Sequence, residues 1–212
     1  MPVVIRAAMP GDAAFLGYAC VMSARSQLAR GWFEIVLQRD EAFCLEFAKH
    51  LTLAAARSWW HWSLFDVAEV DGVVASALCG FGDETVYHNS REAMAEAADK
   101  MGIAKSEQEQ FWARGHFIVS PATSEDGAWT IENVATAEAY RGRGLVKMLI
   151  DTETESARDA GFKRMQVSFF MGNTPAERAY TKAGFKFAEQ KTAPDFKAAL
   201  GIPGVTRYAR DI

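Results

Sequence analysis

The chain has 212 residues, half of them hydrophobic and 24% charged, with a formal net charge of -4. That length suits one α/β domain with a sizeable core and is short for two, and the acidic balance argues against a nucleic-acid backbone as partner. No apolar run approaches a membrane span, and no basic segment followed by a long apolar one opens the chain.

The three cysteines, Cys20, Cys44 and Cys79, are an odd number and widely spaced. A disulfide framework is not expected, and a reducing, cytoplasmic setting fits better. His50, His61, His88 and His116 show no metal-ligand spacing, so no metal site is expected.

In chain order, Val3 to Ala7 reads as a first strand, and Pro10-Gly11-Asp12 breaks it. Asp12 is placed to cap a helix through Ala13, Leu16 and Val21. A second helical stretch follows Gly31. A third runs from Glu41 to about Arg57, with Phe43, Phe47 and Leu51 at four-residue spacing. Trp62 to Val70, the turn Asp71-Gly72, and Val73 to Cys79 read as a hairpin. Asn89 to Met101 and Ser106 to Arg114 look helical, and Pro121 to Gly127 looks like a loop. Trp129 to Thr136 is a strand. A helix carrying Leu145, Met148, Leu149 and Thr152 then runs to about Gly161. Arg164 to Phe170 is a strand, and Thr174-Pro175-Ala176-Glu177 reads as a capping box before another helix. Phe185 to Gln190 and Val205 to Ala209 close the chain as strands. The whole pattern predicts an α/β fold with a central mixed sheet covered by helices.

Chemistry concentrates in Tyr140-Arg141-Gly142-Arg143-Gly144-Leu145-Val146, between a strand and an amphipathic helix. A helix start presents unpaired N–H groups and the positive end of its dipole, and glycine lets an anion approach closely. Two arginines at that end are unfavourable unless an anion neutralises them. A phosphate would do so; a solvated turn or a nucleic-acid-binding tract is the alternative. Neither a P-loop nor a Rossmann fingerprint is present.

Asn133-Val134-Ala135-Thr136 followed by Tyr140-Arg141-Gly142-Arg143-Gly144 resembles the acetyl-CoA-binding motif of the GNAT N-acetyltransferase superfamily. Asn173, Ala176, Tyr180 and Gly184-Phe185 resemble that superfamily's later motif, in the right order and at the usual separation. The match covers roughly residues 130–190. Val146 departs from the glycine or alanine usual at its position, and Glu138 stands where proline is frequent.

The resemblance implies a GNAT-like fold, a mostly antiparallel sheet, and transfer of acetyl from acetyl-CoA to an amine by direct attack. It implies that amides of Gly142, Arg143, Gly144, Leu145 and Val146 hold the pyrophosphate, with Arg141 and Arg143 at its edge. Val134 and Thr136 would pair with the pantetheine arm, which needs a splayed sheet edge. An amide near Ala135 would face the thioester carbonyl, and Asn173 would contact the arm. Tyr180 would be the general acid; a core aromatic is its other reading. An attacking amine must lose its proton, and Glu132 is the best-placed acceptor, ahead of His61 and His116.

Trp32, Phe33, Trp59, Trp60, Trp62, Phe111 and Trp112 read first as core packing, with an acceptor pocket as the alternative use. The acceptor is a small-molecule or peptide amine of unspecified identity, and a homodimer is left open. The chain is expected to be one domain, 1–212, with a helical insertion at about 81–127 that either covers the acceptor side or serves as a structural cap. A non-catalytic acyl-CoA-binding protein is the rival reading, kept alive by Val146.

Overall fold

The computed structural model describes residues 2–118 and 125–212. The loop expected from Pro121 lies outside them up to residue 124.

A seven-stranded sheet runs through the molecule in the order β1-β2-β3-β4-β5-β7-β6. The strands are β1 (Val3–Ala7), β2 (Phe65–Val70), β3 (Val73–Phe81), β4 (Trp129–Thr136), β5 (Arg164–Phe170), β6 (Lys186–Thr192) and β7 (Gly204–Asp211). All neighbours are antiparallel except β4 and β5. The hairpin turn is as expected: Asp71 and Gly72 take φ 53 and 81, the left-handed pair whose twist matches the strands it joins.

On one face lie α1 (Ala13–Arg25), α2 (Trp32–Leu37) and α3 (Glu41–Thr52). Between β3 and β4 the chain adds α4 (Thr85–His88), α5 (Ser90–Lys100) and α6 (Lys105–Gly115) to that layer. Leu16, Phe33, Phe47 and Leu51 share a buried cluster with Val86, Ala93 and Phe111. The other face carries α7 (Leu145–Asp159) and α8 (Thr174–Lys182), packed through Leu145, Leu149, Tyr180 and Phe185. A short α9 (Pro194–Leu200) buries Phe196. Among the described residues no helix is long and apolar enough to cross a membrane.

Several boundaries differ from the sequence reading, each for a local reason. Asp12 does not cap α1 with its side chain. Its carboxylate accepts from Met9 N at 2.7 Å and pairs with Arg6 at 2.8 Å, which closes the turn before the helix. α3 stops at Thr52 rather than near Arg57. The backbone N–H groups of Ala55 and Ala56 donate instead to the Glu96 carboxylate on α5, at 2.6 and 3.0 Å. The first hairpin strand begins at Phe65, because Trp62–Leu64 is a tight helical turn capped by the His61 ring. The cap of α8 is Asn173, whose Oδ1 accepts from Ala176 N at 3.1 Å, and Thr174 stands inside the helix.

On the buried face of α7, Glu153 is 4% exposed and accepts from Trp129 Nε1 at 2.9 Å. It lies across Gly80, where an added Cβ would fall 2.0 Å from the carboxylate. Burial, with the charge of Asp66 adding to it, pushes the Glu153 carboxyl up to about 8. The folded value is thus above the unfolded one, near 4.3. As pH rises between them the unfolded chain sheds this proton first, so stability falls across that window. Glu153→Gln removes the charge and keeps an acceptor for Trp129. It should melt a few degrees above wild type at pH 8 and close to it at pH 5. Parallel Tm profiles for the two proteins would contradict this assignment.

Candidate active site

The site begins where two neighbouring strands separate. β4 and β5 pair only at Trp129, Thr130 and Ile131, opposite Met165, Gln166 and Val167. Beyond Ile131, residues Glu132 to Thr136 have no strand partner on that side among the described residues.

The separation coincides with an irregularity in β4. From Ala77 to Cys79 on β3, the partners run from Ala135 to Glu132, so β4 holds one extra residue. Asn133 takes φ 52 there. A bulge of this kind bends its strand and re-aims side chains. The buried Asn133 side chain donates to Trp59 O and Cys79 Sγ, both at 3.4 Å, and accepts from Ser23 Oγ of α1 at 3.3 Å. The diverging halves are tied at their far end. Asn173 Nδ2 donates to Ser26 Oγ at 2.6 Å, and Gln27 Nε2 donates to Met171 O at 3.0 Å.

A cavity of about 1690 Å³ occupies the opening. The cofactor-binding residues, the proposed acid and the first-choice base all line it: Glu132, Val134, Ala135, Thr136, Arg141 through Val146, Asn173 and Tyr180. At one end, Gly142 and Gly144 both take φ 78, and an added Cβ at either would meet no atom within 4 Å. α7 starts directly after them with no acidic side chain in its first turn. The first amides of such a helix lack intrahelical acceptors. Arg143 lies over the Tyr140 ring at 5.1 Å, and Arg141 Nε donates to Thr136 O at 3.3 Å. Leu145 points its side chain into the core, so only its backbone faces the loop, and Val146 is half-buried against the same apolar cluster.

Deeper in, Tyr180 stands beside Phe169 with ring centroids 5.6 Å apart. Burial raises its hydroxyl well above the usual tyrosine range, and the Glu132 charge pushes the same way. Glu132 is half-buried, and loss of solvent pushes its carboxyl up to about 8. A hydrogen bond from the Tyr87 hydroxyl pulls in the opposite direction. Tyr87, on α4, is held between Trp59 and Phe81 at centroid distances of 5.6 and 5.3 Å. Sequence reasoning missed it, because nothing in the spacing of Tyr87 from Glu132 announces their meeting. The two histidine candidates do not line the cavity. The His61 ring caps its own turn, and the exposed His116 bonds Ala113 O at 2.9 Å.

Residues 35–185 match the family described as the acetyltransferase (GNAT) family. The chain belongs to the GNAT family. Its fold recurs in solved GNAT-type structures across nearly the whole chain. A crystal structure of an acetyltransferase superposes with a TM-score of 0.72 at 19% identity, covering 99% of each chain. An N-acetyltransferase from Staphylococcus aureus Mu50 gives 0.70 at 20% identity, over 98% of this chain and 100% of that one. A putative acetyltransferase from Salmonella typhimurium, solved with its cofactor acetyl-CoA, gives 0.56 at 17% identity, over 99% and 93%. No functionally curated protein matches the chain in sequence.

Proposed function

We propose that this GNAT protein is an acetyl-CoA-dependent N-acetyltransferase in which the amine attacks the acetyl group directly. One observation carries the reading: an anion-ready helix start, an unpaired strand edge, a buried tyrosine and a carboxylate all open on one cavity. The whole chain, 1–212, works as one domain, with the β3–β4 connection as its helical insertion.

The residues fit the co-substrate. Left-handed glycines with open space above them and free helix amides suit a pyrophosphate. The unpaired edge of β4 suits an arm that carries amides of its own. Acetyl-CoA, when bound, supplies the acetyl group as an activated thioester. Amides from Gly142 to Val146 hold the pyrophosphate, with Arg141 and Arg143 beside it. Val134 and Thr136 pair with the arm through their backbones, and an amide near Ala135 favours charge on the acetyl oxygen. Glu132 takes the proton of the incoming amine, and Tyr180 returns one to the departing sulfur. Asn173, whose side chain already caps α8 and bonds Ser26, acts by fixing the loop along which the arm runs. Val146 is half-buried against the cluster beneath α7, and turnover separates this reading from a non-catalytic acyl-CoA-binding protein.

Isothermal calorimetry with acetyl-CoA tests the cofactor half of this reading. Wild type should bind, and Arg143→Glu should bind roughly tenfold or more weakly, since a charge-assisted contact becomes a repulsion. Absence of heat at near-millimolar acetyl-CoA would end the proposal.

A further inference from the structure

The walls of the cavity beyond Glu132 differ in chemistry from those near the glycine loop. Trp32, Trp59, Trp60, Tyr87, Met94 and Phe111 line that side. The last three come from the β3–β4 connection, which is woven into the helical layer. Trp32 Nε1 donates to Gly115 O at 3.0 Å, Trp59 Nε1 donates to Ser90 Oγ at 3.1 Å, and Arg114 donates to Val36 O at 3.1 Å. The indole N–H groups of Trp32 and Trp59 are therefore already engaged, and what these side chains offer a ligand is mainly ring surface. The aromatic rings stack in series: Trp59 and Trp60 at 4.6 Å, Trp60 and Trp32 at 5.8 Å.

Charge is distributed just as unevenly. Among the described residues, Glu132 is the one charged residue lining the cavity that is not exposed. His88, Arg91, Lys105 and Glu109 stand at the mouth, all exposed. Arg91 lies over the Trp112 ring at 5.4 Å, and Lys105 is paired with Asp99 at 2.6 Å.

Resting on the acetyltransferase reading, we propose that the acceptor is a monoamine carried on an apolar, ring-sized body. The body packs against Trp59, Trp60 and Phe111, and the nitrogen points at Glu132. A polyamine would have to strip solvent from its second ammonium among the aromatic walls, where among the described residues Glu132 is the one lining carboxylate that is not exposed, or carry it out to the exposed mouth, where water already satisfies it. An α-amino acid would have to bring its carboxylate into the half-buried region beside Glu132, with no buried cation there to pair it. Burying an unpaired charge is costly, whereas burying a ring is favourable.

The test is a kcat/KM panel on the wild-type protein at saturating acetyl-CoA, with 2-phenylethylamine, ethylamine, spermidine, phenylalanine and a lysine-containing peptide. 2-Phenylethylamine should exceed each of the others by about tenfold or more, through the buried ring against ethylamine and through the extra charge the others carry against spermidine, phenylalanine and the peptide. Phe111→Leu, with acetyl-CoA binding checked by calorimetry as the fold control, should narrow the margin over ethylamine. A preference for spermidine, phenylalanine or the peptide would overturn this inference and leave the acetyltransferase reading standing. Turnover with no amine, in a protein that binds acetyl-CoA, would overturn both.

Discussion

Tyr180→Phe is expected to lower turnover by roughly 10²-fold or more while leaving acetyl-CoA affinity unchanged. The substitution keeps the ring against Phe169 and Phe185 and removes only the hydroxyl. Tyr180 lines the cavity, and its hydroxyl has no hydrogen-bond partner among the described residues, so little folded-state energy is lost with it. Its protonation state suits the role. Burial and the nearby Glu132 charge both raise its pKa, so it stays protonated at any working pH and is present as a donor. A thiolate is ordinarily a weaker base than a tyrosinate, so the hydroxyl helps by hydrogen-bonding the sulfur as its charge develops, in a site where shielding from water disfavours a free thiolate as well. Calorimetry fixes the binding half of the prediction, and single-turnover kinetics fixes the chemical half. Unchanged single-turnover rates would return Tyr180 to the core as a packing residue.

The parts of the site that lie close together along the chain are legible in the residues alone. The stretch from β4 through the Arg-Gly-Arg-Gly loop into α7 is local, and its logic is local too: a strand, glycines that take left-handed φ, and an amphipathic helix. Tyr180 is legible because Asn173 opens its helix at a fixed offset. The parts built by tertiary contact are not. Nothing near Ala55 in the sequence reveals that Glu96 will draw its backbone out of α3. Tyr87 reaches Glu132 only because α4 is carried back against β3 and Trp59. The aromatic residues around Trp59 read as core, and many of them are; Trp60 and Phe111 are both buried and cavity-lining. Periodicity marks a residue as inward-facing without saying whether it meets another side chain or an opening. The structure also bears on the proposed insertion. The helices of the β3–β4 connection bury Val86, Ala93 and Phe111 in the main cluster, so excising them would expose core, and single substitutions are the cleaner probe.

Glu132→Gln should remove the proton acceptor and with it a limb of the pH–rate profile. An alkyl amine is mostly protonated near neutrality, because its unperturbed pKa is about 10.4. A base close to the attacking nitrogen is worth about 10²–10⁴-fold. Glu132 titrates near 8 because burial disfavours its charged form, while the Tyr87 hydrogen bond favours that form and limits the rise. The ionised carboxylate is the active form, so kcat/KM should climb as pH rises through about 8. Below that point only a minority of molecules carry the base, about one in ten at pH 7. Glutamine keeps the side-chain length and an oxygen to accept from Tyr87, but it cannot ionise. The variant should be slower by roughly 10²-fold or more above pH 8, and the inflection near 8 should vanish, leaving only the slope set by the amine itself. Tyr87→Phe gives the opposite test of the same arrangement. It keeps the carboxylate and removes the bond that favours its charge, so its inflection should move to higher pH while its rate at the plateau stays near wild type. An inflection that persists in Glu132→Gln would assign the titration to another group, and one that stays in place in Tyr87→Phe would detach Tyr87 from it.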